Sequence, residues 1–191
     1  MPRIRQAPPA VLTDKKLLSM VLTLIQKKKI CKDPAFGQWQ PKHKSRLESL
    51  VAMKDLYHEI AGVDDPIHLT VEIEMNDDKD FKFRITSEAI ELFFPLFRYD
   101  SKGVPHRNRH LPLGKDMVPC PHFHRFDDEG RWHAYRTGII EKQESALADA
   151  SNALHHFCTE GNIETEIVPS VGNLQSSIPP DGGNPLNEII F

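Results

Sequence analysis

Cysteine is scarce in this chain, and long apolar runs are missing from it. The 191 residues include three cysteines, Cys31, Cys120 and Cys158. Their odd number and wide spacing exclude a disulfide framework and a Cys-x-x-Cys metal clip. The longest apolar run, residues 21–25, is far shorter than a membrane span, and residues 1–10 lack the apolar core of a secretory signal. These absences predict a cytoplasmic protein that does not contact a membrane.

The motifs of several large enzyme classes are missing as well. The sequence contains no P-loop, no G-x-G-x-x-G dinucleotide fingerprint and no H-E-x-x-H zinc-protease motif. A formal net charge of −3 gives no overall electrostatic reason to expect a nucleic-acid partner. Any functional site must therefore be sought in a local cluster of side chains.

Alternating apolar and polar residues predict two antiparallel hairpins. The first spans 67–75 and 81–86, with turn-forming residues between them. The second spans 120–126 and 131–137 around a turn that ends at Gly130, which is predicted to be left-handed. The length of this turn sets the register. The predicted cross-strand pairs are Phe126–Trp132, Arg125–His133, His124–Ala134 and Phe123–Tyr135.

Helical periodicity and chain-breaking residues complete the predicted elements. The predicted helices span 13–30, 45–60 and 141–157, and further strands are predicted over 90–99 and 162–168. Residues 100–119 contain several prolines and glycines and are predicted to form one long ordered loop, a feature that is often functional.

Together these elements predict an α+β fold, with a mostly antiparallel sheet and helices packed on it. Residues 1–168 are predicted to form a single domain, because the chain is long enough for one well-buried core and short for two. Residues 1–12 are predicted to be an irregular arm, and residues 169–191 a loosely ordered tail.

One stretch, residues 98–136, concentrates the groups that can do chemistry. It holds five of the ten histidines, namely His106, His110, His122, His124 and His133, and six arginines. The favoured hypothesis is a site that binds or cleaves a phosphodiester of a nucleic acid or nucleotide, because arginine binds phosphate bidentately and a histidine pair can supply base and acid. The candidate catalytic residues are His122, His124 and His106, and the candidate substrate-binding residues are Arg107, Arg136, Asp100, Asn108 and Trp132.

Two other interpretations of the same residues stay open. In one, the histidines are structural: they hold the 100–119 loop against the sheet, and the protein is a non-catalytic interaction or regulatory module with a protein partner. In the other, Cys120, His122 and His124 lie on one strand face at spacings of two and bind a transition metal. No cofactor is predicted under the favoured hypothesis.

Short motifs in the same stretch resemble a family of small uncharacterised bacterial proteins. The family pattern runs R-x-D-x-x-G, then H-x-N-P, then H-x-H before a turn and a final W-A strand. The matching residues are Arg98, Asp100 and Gly103, then His106 and Asn108, then His122 and His124. The sequence departs from the pattern at Arg109, where the family often has proline, and at His133, which is inserted between Trp132 and Ala134.

The resemblance covers about residues 67–168 and carries expectations about fold and site. It implies an α+β domain with an antiparallel sheet, and it implies one cluster formed by Asp100, His106, Asn108, His122 and His124. Families of this kind sometimes accompany phage or toxin–antitoxin genes, which favours nucleic-acid chemistry. The resemblance itself implies no particular activity.

Overall fold

The computed structural model describes residues 8–33, 36, 39–43, 46–60, 64, 66–88, 90 and 94–165. Within these residues the protein is rich in strands and has few helices. The helices are α1 (Lys15–Gln26), α2 (Gly138–Gln143) and α3 (Ala150–Glu160), with a 3-10 helix at Ala146–Ala148. The strands are β1 (Lys29–Cys31), β2 (Gln40–His43), β3 (Arg46–His58), β4 (Ile67–Glu74), β5 (Asp77–Ser87), β6 (Phe97–Asp100), β7 (His106–Arg107), β8 (Met117–Val118), β9 (His122–Phe126), β10 (Trp132–Tyr135) and β11 (Ile163–Thr165). None of the described helices is long and apolar enough to cross a membrane.

The described strands form one large sheet and one small one. The large sheet has the order β10-β9-β6-β5-β4-β3-β1-β11, with β2 paired to β3. Its neighbours run antiparallel, except that β1 and β11 are parallel. Strands β7 and β8 form a separate antiparallel pair. The predicted mostly antiparallel sheet is confirmed.

Both predicted hairpins are present. Strands β4 and β5 form the first, although their turn is Met75–Asn76, shorter than predicted. Strands β9 and β10 form the second with the predicted register. The observed pairs are Phe126–Trp132, Arg125–His133, His124–Ala134 and Phe123–Tyr135. Gly130 has a φ of 77°, so the predicted left-handed turn residue is confirmed.

The predicted helix over 45–60 is wrong, because that segment contains the long strand β3. Leu50, Ala52 and Leu56 are buried while Met53 and Tyr57 are exposed, which is the two-residue period of a strand. Eight residues of β3 pair with β4. The continuous ladder of backbone hydrogen bonds with β4 therefore outweighs the imperfect helical periodicity of the local sequence.

Helix α1 starts as predicted but ends earlier. The Asp14 side chain accepts hydrogen bonds from the first backbone amides of the helix. The helix ends at Gln26 rather than near residue 30, because Lys29–Cys31 pair with β3 and β11. The Lys29 ammonium is fully buried and donates to the carbonyls of Leu24, Ile25 and Lys27. Its positive charge therefore lies at the negative end of the helix.

The other predicted elements also change at their boundaries. The single helix predicted over 141–157 is two helices, because Thr137 caps α2 and Asp149 caps α3. Helix α3 ends at Glu160 and is followed by Gly161 at the C-cap. The strand predicted over 90–99 is confined, among the described residues, to Phe97–Asp100. Pro95 has no amide hydrogen to donate to a ladder, which fits a strand that begins after it. The last strand is seen over Ile163–Thr165, and the predicted tail lies outside the described residues.

Strands β6 and β9 have two different faces, because successive side chains point to opposite sides. Phe97, Tyr99 and Phe123 lie on one face, all fully buried. The ring of Phe157, from α3, stacks on Phe97 with centroids 4.9 Å apart. Four alternate positions of the same strands are polar instead, and they lie at the candidate functional site: Arg98, Asp100, His122 and His124.

The described part of the predicted arm is attached to the second hairpin. The backbone amide of Leu12 donates to the Gly130 carbonyl at 2.6 Å, and the amide of Trp132 donates to the Ala10 carbonyl at 3.0 Å. A side chain at Gly130 would collide with the backbone of Leu12. This close approach gives a second reason for glycine at that position.

Candidate functional site

The pairing of β6 with β9 brings a carboxylate and two imidazoles together. Asp100 lies opposite His122, and Arg98 lies opposite His124. Because cross-strand neighbours project to the same side of a sheet, all four side chains share one face. Asp100, His122 and His124 are each at most 5% exposed. The cluster is therefore built from two strands that are distant in sequence.

Three side-chain atoms of this cluster converge. The Nε2 atoms of His122 and His124 are 2.8 Å apart. The Oδ2 atom of Asp100 is 3.1 Å from the Nε2 of His124 and 3.8 Å from the Nε2 of His122. We call these three residues the His–His–Asp cluster. Its atoms are of the kinds that bind protons or metal ions.

The Nδ1 atoms of His122 and His124 are also buried. Neither makes a hydrogen bond of good geometry within the described residues, although the Pro119 backbone is near enough to favour protonation of His122. Polar atoms without partners are uncommon in protein interiors and often mark functional sites. The cluster therefore differs from an ordinary buried hydrogen-bond network.

The surroundings shift the pKa of every member of the cluster. Burial, followed by the neighbouring His124, lowers the pKa of His122 to about 4. Burial also lowers the pKa of His124, against the opposing effect of Asp100. Burial alone would raise the pKa of Asp100, but hydrogen bonds and charge from His124 and Arg98 outweigh it and lower that pKa to about 2. In the metal-free protein at neutral pH, the imidazoles are thus neutral and the carboxylate is ionised.

Two further aromatic rings enclose His124. The Trp132 indole stacks on it with centroids 5.5 Å apart and an angle of 11° between the planes. The His106 imidazole contacts it edge-on at 4.7 Å. Burial, followed by the charge of His122, lowers the pKa of His106. His106 is half-buried, so it links the buried cluster to solvent.

The His–His–Asp cluster lies at the wall of a pocket of about 710 Å³. This volume suits a small-molecule ligand. Among the residues that the structure describes, four arginines, four histidines and one acidic residue, Asp100, line the pocket. The lining arginines are Arg98, Arg107, Arg109 and Arg131, and the lining histidines are His106, His110, His122 and His124.

Carboxylates hold three of the four lining guanidinium groups. Arg98 donates through Nε and Nη2 to Asp100, both at 2.8 Å. Arg107 donates through Nε to Asp116 at 2.7 Å, and Arg131 pairs with two acidic residues of the β9–β10 turn. Within the described part of the chain, Arg109 makes no ion pair. The pocket therefore combines oriented cations with one uncompensated cation.

The 101–119 loop is fixed to the hairpin by Asn108. The side-chain amide of Asn108 donates to the Ala134 carbonyl at 2.8 Å, and its oxygen accepts from the Ala134 amide at 2.9 Å. Asp116 holds the other side of the loop, because its carboxylate accepts from Arg107 and from the Gly114 amide. This arrangement anchors the loop that supplies His106, Arg107 and Arg109 to the pocket.

The structure brings together six of the eight residues predicted for the phosphodiester site. Lining the pocket are Asp100, His106, Arg107, His122, His124 and Trp132. Asn108 is buried behind the pocket and bonds to Ala134. Arg136 lies beyond the end of β10, does not line the pocket, and pairs with Glu144 at 2.6 Å.

Cys120 is not part of the convergent cluster. Strand β9 begins at His122, so Cys120 precedes the strand and does not share its regular alternation. Asp100 occupies the third position instead. Burial, followed by the charge of Asp100, raises the pKa of Cys120 to about 11, which disfavours the thiolate that binds metals.

Arg98, Arg131 and His110 also line the pocket, although the sequence did not single them out as site residues. Arg109, which the sequence places on the loop beside Arg107 among the groups that could surround a phosphate, lines the pocket too. Arg98 carried a usable signal, because it lies two positions from Asp100 on a predicted strand and so shares its face. Comparisons with protein-family models, with curated proteins and with solved structures each found no match. The resemblance to the bacterial family therefore stays a prediction.

Proposed function

We propose that the pocket binds a phosphodiester, as part of a nucleotide or of single-stranded nucleic acid, and that the protein cleaves it. The observation that carries this proposal is the lining of four arginines and four histidines around a single carboxylate. Guanidinium groups are well suited to phosphate oxygens because they donate two parallel hydrogen bonds. The size of the pocket accommodates a nucleotide.

The arginines are arranged in a way that supports phosphate binding. Arg107 is held by Asp116 through its Nε atom, so its orientation is fixed before a ligand arrives. Arg109 is exposed and carries charge that no described carboxylate offsets. Prior orientation reduces the entropy that binding costs, and an uncompensated cation attracts an anion over a longer range.

His106 is the residue best suited to proton transfer in this pocket. It is half-buried and lines the pocket, whereas His122 and His124 are almost fully buried and direct their Nε2 atoms at each other. A neutral imidazole near the ligand can act as a general base. The half-buried Trp132 also lines the pocket, and its indole is a group on which a base can stack.

Binding of labelled oligonucleotides tests this proposal. We expect a single-stranded RNA or DNA oligonucleotide, or a cyclic nucleotide, to bind in fluorescence anisotropy with an affinity that falls as salt rises. Arg109→Ala should weaken that affinity by about tenfold, which corresponds to roughly 1.4 kcal/mol. Arg125→Ala is the matched control, because Arg125 is exposed but lies over the ring of Tyr135, away from the pocket.

Cleavage is tested separately by product analysis of the same oligonucleotides. His106→Ala should slow cleavage by about 100-fold or more, as expected for loss of a general base. If no probe binds the wild-type protein, or if Arg109→Ala and Arg125→Ala have the same effect, the proposed pocket function is contradicted. If probes bind and none is cleaved, the proposed cleavage is contradicted and only the proposed binding stands.

The two hydrogen bonds between the Asn108 side chain and the Ala134 backbone, which we call the Asn108 clamp, favour a second candidate function. This function is a non-catalytic interaction or regulatory module with a protein partner. In that case the buried polar residues only hold the loop in the shape that the partner recognises. This function requires that no phosphodiester binds and that loss of the clamp abolishes partner binding. This second function would not explain why the side-chain atoms of the His–His–Asp cluster converge.

Two further proposals concern the packing of α3 and the location of the protein. We infer that α3 packs on the apolar face of the sheet, since Phe157 contacts both Phe83 and Phe97. We further infer a cytoplasmic location, because the free thiols suit a reducing compartment.

A further inference from the structure

We propose that Asp100, His122 and His124 together bind one divalent transition-metal ion at the wall of the pocket. The inference rests on the convergence of Asp100 Oδ2 with the two Nε2 atoms. It differs from the metal set predicted from the sequence, because a carboxylate from a different strand takes the place of the Cys120 thiol. Two histidines and one carboxylate form a ligand set that suits zinc, iron(II) and manganese(II).

The distances between the three atoms fit a shared ion. They are separated by 2.8, 3.1 and 3.8 Å. A circle through three points with these separations has a radius of about 1.9 Å, slightly less than the usual metal–nitrogen and metal–oxygen bond of about 2.0–2.1 Å. An ion slightly above the plane of the three atoms is therefore at bonding distance from all of them.

Hydrogen bonds alone do not explain the arrangement. A neutral His124 can carry only one hydrogen on Nε2, yet this atom faces both the carboxylate of Asp100 and the Nε2 of His122. If the hydrogens are on the Nδ1 atoms instead, three lone pairs point at one another. A cation satisfies all three at once, and burial of the cluster makes the unsatisfied alternative costly.

The coordination set is open on the side of the pocket. Three protein ligands leave at least one position for water or a ligand, which is typical of catalytic rather than structural zinc sites. Because all three residues line the pocket, a ligand held by the arginines would reach the ion. The chemical role that follows rests on the proposed function, whereas metal binding itself does not.

In that role, the ion would supply Lewis-acid activation of a water, and His106 would accept the proton that this water loses as its oxygen attacks the phosphorus atom. A new P–O bond would form and the bond to the leaving oxygen would break. The leaving oxygen would take up a proton from solvent, and His106 would release its proton to solvent. The reaction consumes one water and requires no oxidant or reductant.

Calorimetric titration of zinc into the full-length, chelator-treated protein without a histidine tag tests the inference. We expect one ion per chain with submicromolar affinity. Asp100→Asn, His122→Gln and His124→Gln should each weaken zinc binding by about 100-fold or more. Loss of a residue that only hydrogen-bonds to a metal ligand already weakens binding by about 10–100-fold, and each of these changes removes a ligand itself. His133→Gln is the matched control, because His133 pairs with His110 at 3.3 Å without a carboxylate.

Absence of stoichiometric zinc binding by the folded wild-type protein overturns the inference, and so does equal binding by the control and all three site variants. If the site variants do not fold, the absorption spectrum of the cobalt(II)-loaded wild-type protein decides. Ligand-field bands without a thiolate charge-transfer band support the proposed set, and a thiolate band overturns it in favour of Cys120.

The outcome can be separated from that of the proposed function. Zinc binding without any phosphodiester binding leaves the metal site intact and contradicts only the function. Conversely, the protein could bind no zinc and still bind oligonucleotides in the presence of chelator, in a manner that depends on Arg109. That result supports the phosphodiester pocket and overturns the metal site.

Discussion

The two faces of strands β6 and β9 differ in almost every physical respect. One face carries Phe97, Tyr99 and Phe123, packed ring against ring. The other face carries charged and titratable groups at the alternate positions, among them Asp100 and His124. The three rings and the three residues of the His–His–Asp cluster are all buried. The same backbone thus supports an apolar core on one side and a polar cluster on the other.

This difference separates stability from function. Burial of apolar rings stabilises the fold directly. Burial of a carboxylate and two imidazoles is costly unless they find partners, and replacing such groups by apolar residues is often neutral or stabilising. The polar face is therefore expected to serve a chemical role, and the apolar face to hold the fold together.

The largest expected effect is on the apolar face. Phe123→Ala removes a ring that contacts Phe97, Tyr99 and Phe157, and loss of a buried aromatic ring typically costs about 3–5 kcal/mol. Urea denaturation of the metal-free protein should report this loss in the free energy of unfolding. A loss below about 1 kcal/mol would show that this face is not the main source of stability.

The polar face should make the metal-free protein sensitive to acid. Because the pKa of His122 is lowered to about 4 from 6.5, the unfolded chain takes up the proton first as pH falls. The neutral His122 therefore makes its full contribution to the free energy of unfolding above pH 6.5. As pH falls from 6.5 to 4, the free energy of unfolding decreases by about 3 kcal/mol. The lowered pKa of Asp100, about 2 instead of 3.8, acts in the same direction between pH 3.8 and 2.

Unfolding experiments across this pH range, in the presence of chelator, check the prediction. His122→Asn should reduce the loss of stability between pH 6.5 and 4, because the group that titrates is gone. A wild-type protein whose stability is constant over that range would contradict the description of His122 as a buried, neutral imidazole.

A smaller effect is expected at the clamp behind the polar face. Asn108→Ala leaves both backbone groups of Ala134 without their side-chain partner, at a cost of about 1–3 kcal/mol for a buried polar group. Limited proteolysis should then cut the 101–119 loop faster than in wild type. Unchanged proteolysis and stability would mean that other contacts hold the loop.

The smallest effect is expected at Arg136, which was predicted from the sequence to bind substrate. Its guanidinium pairs with Glu144, which is largely exposed. Arg136→Ala should change the free energy of unfolding by about 1 kcal/mol or less and leave oligonucleotide affinity at the wild-type value. A loss of affinity as large as that of Arg109→Ala would show that Arg136 belongs to the site.

Local patterns predicted the parts of the site that depend on one hairpin. The turn at Gly130 determined the pairing of His124 with Ala134, and strand alternation placed His122 and His124 on one face. The same local reasoning misassigned β3, because its hydrogen bonds with β4, rather than the spacing of its own apolar residues, decide its conformation. It also proposed Cys120 as the third ligand, because nothing local indicates that Asp100 lies opposite His122. Contacts between strands distant in sequence were the information that the pattern lacked.

X-ray absorption at the zinc edge of the zinc-loaded, tag-free protein tests the central claim most directly. We expect one zinc per chain with only nitrogen and oxygen neighbours at about 2.0–2.1 Å, including the multiple-scattering signature of two imidazoles. A sulfur neighbour at about 2.3 Å would assign the ion to a cysteine instead. That result, or the absence of stoichiometric zinc, would contradict a metal site formed by Asp100, His122 and His124.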